Sequence, residues 1–279
     1  MKIFKTAQSL VEYLANEMLP LGMVPTMGAL HKGHLSLIER ALEENHNVLI
    51  SIFINPTQFD DKTDLENYPI ILDSDLKKMK QYKGNILVYI PKAKDIYGNS
   101  VTSRSFDLAG LDESMEGKKR RGHFQGVATV VSYFLKTFLP DNAYFGEKDF
   151  QQLRIIDHMT QSLGLKTKIV GCPIVRESDG LAMSSRNRLL SSKQRKLAVK
   201  PFELLKFAKS NAKKYTYQTL KNKVTTFFDE YDSMTLDYFK IVDPNTLKEI
   251  PLDQAVSNGR GFIAVHLGKI RLIDNLDMS

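Results

Sequence analysis

The run "VLISIFI" at residues 48–54 leaves few folds open to this chain. It is continuous, apolar and rich in β-branched residues, as expected of a strand buried on both faces of a parallel sheet. Upstream, residues 21–26 form a shorter apolar strand candidate. Between the two, Leu35, Ile38 and Leu42 recur at helical spacing among the polar Glu39, Arg40, Glu43 and Glu44. Strand, helix and strand in that order make one βαβ unit, because parallel strands must be joined by a crossover.

The alternation continues. Residues 73–82 read as a helix, 86–90 as a strand, 127–139 as a long apolar helix, 142–145 as a strand, 150–163 as a helix and 168–172 as a strand. This pattern predicts an α/β fold, a Rossmann-like doubly wound parallel sheet with helices on both faces. After Glu177 the character changes. Lysine-rich helical stretches at 191–214 and 217–231 precede strand-like segments at 237–242, 261–267 and 269–273. Helices followed by antiparallel strands predict a second, smaller α+β domain. The polar, glycine-containing "ESDG" places the boundary there, giving domains at 1–177 and 178–279, the latter expected to act as a lid.

Composition narrows the setting. Apolar residues make up 42% of the 279 and charged residues 25%, as in ordinary globular proteins. No apolar stretch approaches the roughly 20 residues of a membrane-spanning helix, and the amino terminus does not read as a signal peptide. Cys172 is the single cysteine, which excludes an intrachain disulfide and a cysteine-based zinc site, so a reducing cytoplasm is expected. The net charge of +7 suits an anionic partner, whether nucleotide, carboxylate or nucleic acid.

Ligands of parallel sheets bind outside the carboxyl ends of the strands. "PTMGALHKGH" (residues 25–34) occupies that edge after the first apolar strand and holds two of the chain's six histidines, His31 and His34. Gly28 and Gly33 permit tight turning and close backbone approach. A helix beginning near Leu35 would favour phosphate beside His34. Phosphate binding, metal ligation and plain structural histidines all remain open on spacing alone. "INPTQF" (54–59) reaches the same edge, where Asn55 and Gln58 offer neutral donors and acceptors; Asn-Pro is also an ordinary turn. In "YFGEKDFQQL" (144–153), Lys148 suits a phosphate, while Asp149 suits a ribose hydroxyl or a helix cap. "LAMSSRNRLL" (181–190) clusters the donors Ser184, Ser185 and Arg186, or simply caps a helix. The basic "KKRRGHF" (118–124) reads as a solvated loop or a nucleic-acid contact.

Together, "VPTMGALHKGH", "FINPTQF", "GHFQGVATVV", "AYFGEKDFQQL" and "LAMSSRN" resemble, in order and spacing, the pantothenate synthetase (pantoate–β-alanine ligase) family. That family belongs with the adenylating nucleotidylyltransferases and class I aminoacyl-tRNA synthetases. Ala182 stands where the related synthetase loop carries lysine, and so fits the ligase form of that loop. The resemblance implies a ligase for which ATP is a substrate and Mg2+ its companion. The carboxylate of (R)-pantoate would attack the α-phosphorus of ATP to give pantoyl adenylate. β-Alanine would then take the acyl group, leaving pantothenate and AMP.

The resemblance also implies site residues. Met27, Gly28, Ala29, Leu30, His31, Lys32, Gly33 and His34 would line the ATP site, with His34 as proton donor and His31 on the phosphates. Gly146, Glu147, Lys148 and Asp149 would contact ATP, Lys148 as the phosphate cation. Val175 would touch the adenine side, and Met183, Ser184, Ser185 and Arg186 would close over the triphosphate. Gln58 and Gln152 would hold pantoate with help from Asn55. His34, His31, Lys148 and Arg186 are thus the catalytic candidates. The acidic "LDSDLKK" (72–78) assigns no metal ligands. A homodimer is expected, with neither nucleic acid nor membrane as partner. Two rivals stand beside this reading. A nucleotidylyltransferase shares the histidine motif but gives no reason for "FINPTQF" with "FGEKDFQQL". An RNA-binding relative would account for the +7 charge and would bind with steep salt dependence.

Overall fold

The computed structural model describes residues 1–60, 62–256 and 258–279. The chain divides into two compact units, Met1–Pro173 and Ile174–Ser279. In the first unit six parallel strands form one sheet. They are β1 (Lys2–Phe4), β2 (Leu21–Thr26), β3 (Asn47–Ile52), β4 (Asn85–Tyr89), β5 (Asn142–Gly146) and β6 (Lys168–Cys172). Their order is β1-β4-β3-β2-β5-β6, so the chain leaves β2 toward β3 and β4, then returns to the other side for β5 and β6.

The apolar run of β3 lies mid-sheet. Val48, Leu49 and Ile50 of β3 are fully buried, as are Met23 and Val24 of β2 beside them. Because side chains alternate along a strand, Val24, Ile50 and Val88 share one face. There they pack against Leu37, Ile38 and Ala41 of the helix Lys32–Glu44 and Met79 of the helix Leu72–Met79. On the opposite face Tyr89 meets Phe134 and Phe138 of the helix His123–Phe138. Each such side chain contributes about 1.5–3 kcal/mol by leaving water. Covered on both faces, the sheet is doubly wound.

Strand β1 and the helix Ala7–Leu14 were not legible in the sequence. Three residues at a sheet edge carry no periodicity, and the helix depends on Thr6, whose hydroxyl accepts the Ser9 N–H at 3.3 Å.

In the second unit, β7 (Met234–Val242), β8 (Arg260–Leu267) and β9 (Ile270–Asp277) form an antiparallel sheet in that order. The helices Lys200–Asn211 and Tyr217–Phe228 bring Leu204, Leu205, Leu220 and Val224 into one core with Phe239, Ile263 and Val265. The single helix expected at 191–214 is two, Ser192–Leu197 and Lys200–Asn211. Pro201 causes the break, since its ring lacks an N–H and clashes with the preceding turn. The "ESDG" segment lies within the second unit. It is a tight turn: Gly180, at a φ of +97°, donates to the Glu177 carbonyl at 2.9 Å, and Arg176 pairs with Ala182 across it. Ion pairs of Arg176 with Asp274 (2.6 Å) and Arg195 with Glu177 (2.7 Å) fasten this segment to that unit, so the division falls at Pro173 rather than at 177.

Candidate active site

Between β2 and β5 the chain's direction of winding reverses, and their carboxyl ends flank the topological switch point where open α/β sheets bind ligands. "PTMGALHKGH" leaves β2 there, and "GEKD" leaves β5. Gly28 turns the chain at a φ of +82°, a left-handed conformation that glycine adopts without strain. Ala29 follows at +51°. Its N–H and that of Leu30 donate to the two carboxylate oxygens of Asp75 at 2.7 and 2.8 Å. Asp75 is 1% exposed and lies on the helix Leu72–Met79. Lys78, one turn later, donates to the Leu30 carbonyl at 2.6 Å and stands 3.6 Å from Asp75. The acidic segment without an assignment from sequence is therefore a brace under this loop.

The helix starts at Lys32, earlier than expected, because the histidines themselves cap it. His31 is the N-cap residue, and its Nδ1 accepts the Gly33 N–H at 3.1 Å. In return, His34 Nδ1 accepts the His31 N–H at 3.4 Å. This is a capping box with imidazole in both roles. Lone pairs at both Nδ1 atoms put the proton on Nε2 of each ring. The rings stack with centroids 4.0 Å apart. Burial, then His31, push the His34 pKa down to about 3; Asp149 acts the other way, while Lys148 and Lys78 add to the lowering. His34 thus presents a neutral Nε2–H donor at pH 7, not an imidazolium.

At the end of β5, Glu147, Lys148 and Asp149 form one 3-10 turn, with Lys148 3.4 Å from Asp149. A side chain at Gly146 would meet nothing within 4 Å, so this glycine leaves the strand end open to a ligand. The adjacent glutamines have different fates. Gln151, 3% exposed, donates to the Leu111 and Ser114 carbonyls at 2.8 and 2.9 Å and accepts the Glu116 N–H at 3.0 Å. Gln152 is half-buried, and its side chain makes no hydrogen bond among the described residues.

Loop 54–59 at the end of β3 supplies the third wall. Asn55 is 1% exposed and fully occupied: Nδ2 donates to the Gly126 carbonyl at 3.0 Å, and Oδ1 accepts the Thr57 N–H at 3.3 Å and the Tyr97 hydroxyl. Those backbone partners fix the orientation of its amide, whose Nδ2 also donates to Gln58 Oε1 at 3.1 Å. Gln58 is thereby oriented as a donor, its Nε2 lying 2.9 Å from Met27 Sδ, a weak acceptor on the β2 loop. Gly126 explains the glycine of "GHFQGV", since a Cβ there would stand 2.5 Å from the Thr57 carbonyl oxygen.

Met27, Gly28, His31, His34, Gln58, Lys148 and Asp149 thus sit at the ends of neighbouring strands, with Lys32 exposed at the helix start. Ala29 and Leu30 are buried, with their amides held by Asp75. Val175, Met183, Ser184, Ser185 and Arg186 belong to the second unit. Val175 accepts the Met183 N–H at 2.9 Å there, and Ser184 caps a 3-10 turn by accepting the Arg186 N–H at 3.3 Å. Among the described residues no three metal-ligating side chains converge, and no helix is long and apolar enough to cross a membrane.

Comparison with known proteins places the chain in a family. The pantoate-beta-alanine ligase family profile matches residues 2–277. The pantothenate synthetase of Christiangramia forsetii is 43% identical over all of both chains, and that of Porphyromonas gingivalis is 44% identical over 99% of each. A solved pantothenate synthetase from Thermus thermophilus superposes with a TM-score of 0.92 at 38% identity, covering 100% of this chain and 99% of its own. The pantoate-beta-alanine ligase of Francisella tularensis, solved in complex with beta-gamma ATP and beta-alanine, gives a TM-score of 0.82 at 34% identity over 100% and 98% of the two chains. Matched from end to end in sequence and in fold, this chain belongs to the pantoate–β-alanine ligase, or pantothenate synthetase, family.

Proposed function

We propose that this ligase forms pantothenate through a pantoyl adenylate, with the reacting phosphates held at the β2–β5 switch point. The observation that carries this reading is the stacked pair of Nε2–H donors at a helix N-terminus, beside Lys148. In the first step a carboxylate oxygen of (R)-pantoate attacks the α-phosphorus of ATP, and the bond to the bridging oxygen breaks to release pyrophosphate. In the second, the neutral amine of β-alanine attacks the acyl carbon, loses a proton and displaces AMP.

Charge moves onto pyrophosphate during the first step, and fixed donors aimed there lower the barrier. His31, His34 and Lys148 take that role. In the ligand-free protein burial holds the His34 pKa down to about 3, and the role assigned to this ring is hydrogen bonding to the departing charge. Gln58, oriented as a donor, suits a carboxylate or hydroxyl oxygen of pantoate, joined by Gln152. Asn55 acts by holding Gln58. In the second unit, Val175 and the Met183–Arg186 motif carry the family's remaining nucleotide contacts. Magnesium on the triphosphate would supply further charge neutralisation. The family reading also brings a homodimer and a cytoplasmic setting.

The test is to incubate the purified protein with ATP, magnesium, pantoate and β-alanine and identify products by mass. Pantothenate, AMP and pyrophosphate are expected, and without β-alanine a single turnover should yield enzyme-bound pantoyl adenylate. Release of ADP and phosphate would mean acyl phosphate chemistry and would overturn the adenylate route.

A further inference from the structure

We propose that Arg120 and His123 clamp the backbone carbonyl of Gln58 and so set the angle at which its amide meets pantoate. This rests on the reading of Gln58 as a pantoate ligand. The basic run "KKRRGHF" has no part in the chemistry above, yet two of its residues turn inward onto one atom. His123 is 7% exposed, and its Nδ1 lies 2.7 Å from the Gln58 carbonyl oxygen. A carbonyl only accepts, so Nδ1 carries the proton. The lone pair then sits on Nε2, facing Arg120 Nη1 at 3.4 Å. Arg120 also donates through Nη2 to the same carbonyl at 3.2 Å and through Nε to Asp60 at 3.3 Å. Both lone pairs of the Gln58 carbonyl are therefore engaged by side chains from more than sixty positions along the chain.

The turn needs such support. Pro56–Gln58 is a single 3-10 turn, and its own closing hydrogen bonds are long, at 3.4 Å (Gln58 to Asn55) and 3.3 Å (Phe59 to Pro56). Asn55 fixes the amide end of Gln58 from one side, and the clamp fixes the backbone end from the other. His123 is the first residue of its helix, yet its ring reaches across to this turn. Burial and Arg120 push its pKa down to about 4, with the Gln58 carbonyl, Glu116 and Asp149 opposing, so the ring keeps its acceptor toward Arg120 at neutral pH. Both residues are positioning residues: neither donates to substrate in this proposal.

The test uses side-chain amides as atom-specific substitutes. Asn places its nitrogen where Nδ1 of histidine lies, and Gln places it where Nε2 lies. KM and kcat are measured for pantoate and for ATP in the full-length enzyme. His123→Ala should raise the pantoate KM about 3- to 30-fold, the range of one lost hydrogen bond, with the ATP KM within about twofold. His123→Asn should restore most of the loss and His123→Gln little. In a Gln58→Ala background, His123→Ala should add no further loss of pantoate use. Equal rises in both KM values, equally severe in the Asn and Gln variants, would reduce the pair to loop stability and overturn the proposal. So would a well-folded His123→Ala enzyme with normal pantoate use. If Gln58→Ala itself leaves pantoate use intact, the ligand reading fails; if it impairs pantoate use while His123→Ala does not, only the clamp fails. Should His123→Ala not fold, Arg120→Gln must show a smaller rise confined to pantoate, and its absence would overturn the proposal equally.

Discussion

Asp75 accepts the Ala29 N–H at 2.7 Å and holds that alanine at a φ of +51°. A non-glycine residue in this region costs about 1–2 kcal/mol, which the buried carboxylate offsets by accepting two amides of one loop. Asparagine at this position has one oxygen for two N–H donors, so either orientation sets an N–H against an N–H. Asp75→Asn should cost about 1–3 kcal/mol of stability, read as a lower melting temperature. Displacement of the histidine loop should also slow adenylate formation on the order of 10²-fold, measured by rapid mixing with ATP and pantoate. An unchanged first step would remove Asp75 from the site's support.

The stacked histidines lead to a second expectation. His34→Ala should lower the rate of adenylate formation by about 10²–10³-fold, as when one preorganised donor is lost, and more than it weakens ATP binding. If Nε2–H is the working atom, His34→Gln should keep more of the rate than His34→Asn. Single-turnover kinetics of the three variants, alongside their melting curves, decide this. The reverse order would place the function at Nδ1, which here caps the helix.

Gln151 and Gln152 are neighbours with different work. Gln151→Ala orphans three backbone groups, two of them buried, and should destabilise the protein by at least about 2 kcal/mol, seen in urea unfolding. Gln152→Ala should leave stability within about 0.5 kcal/mol. Its pantoate KM should rise instead, by a hydrogen bond's worth of about 1–3 kcal/mol, roughly 5- to 150-fold. Equal unfolding midpoints for the two variants would contradict the assignment.

Acid should destabilise the fold in a definite window. Burial holds the pKa of His34 at about 3 and that of His123 at about 4 in the folded chain, against about 6.5 when unfolded. Between those values the unfolded state binds protons that the folded state refuses. Stability is therefore fully present above about pH 6.5, falls by up to about 1.4 kcal/mol per pH unit for each group, and levels off below the folded pKa. Urea midpoints from pH 7 to pH 4 measure the slope, which His123→Asn should reduce. A flat profile in the parent protein would show that the rings titrate normally.

Much of this protein follows from the sequence alone. Continuous β-branched runs specify strands buried on both faces, helical spacing specifies the crossovers, and local order places "PTMGALHKGH" and "GEKD" at strand ends. These are short-range properties of the chain, and five ordered motifs add the family. Tertiary structure decided the rest. Neither the brace of Asp75 on Ala29 nor the reach of His123 to the Gln58 carbonyl has any periodic signal, because each joins residues distant in sequence that only folding brings to hydrogen-bond distance. Spacing left the histidines open between phosphate, metal and structure; their mutual capping showed which nitrogen carries the proton. The same holds for Gln151 and Gln152, identical in type and adjacent in the chain. A helix rotates successive side chains by roughly 100°, and that rotation, not composition, buries one against the 111–116 segment and leaves the other half-buried and without those partners.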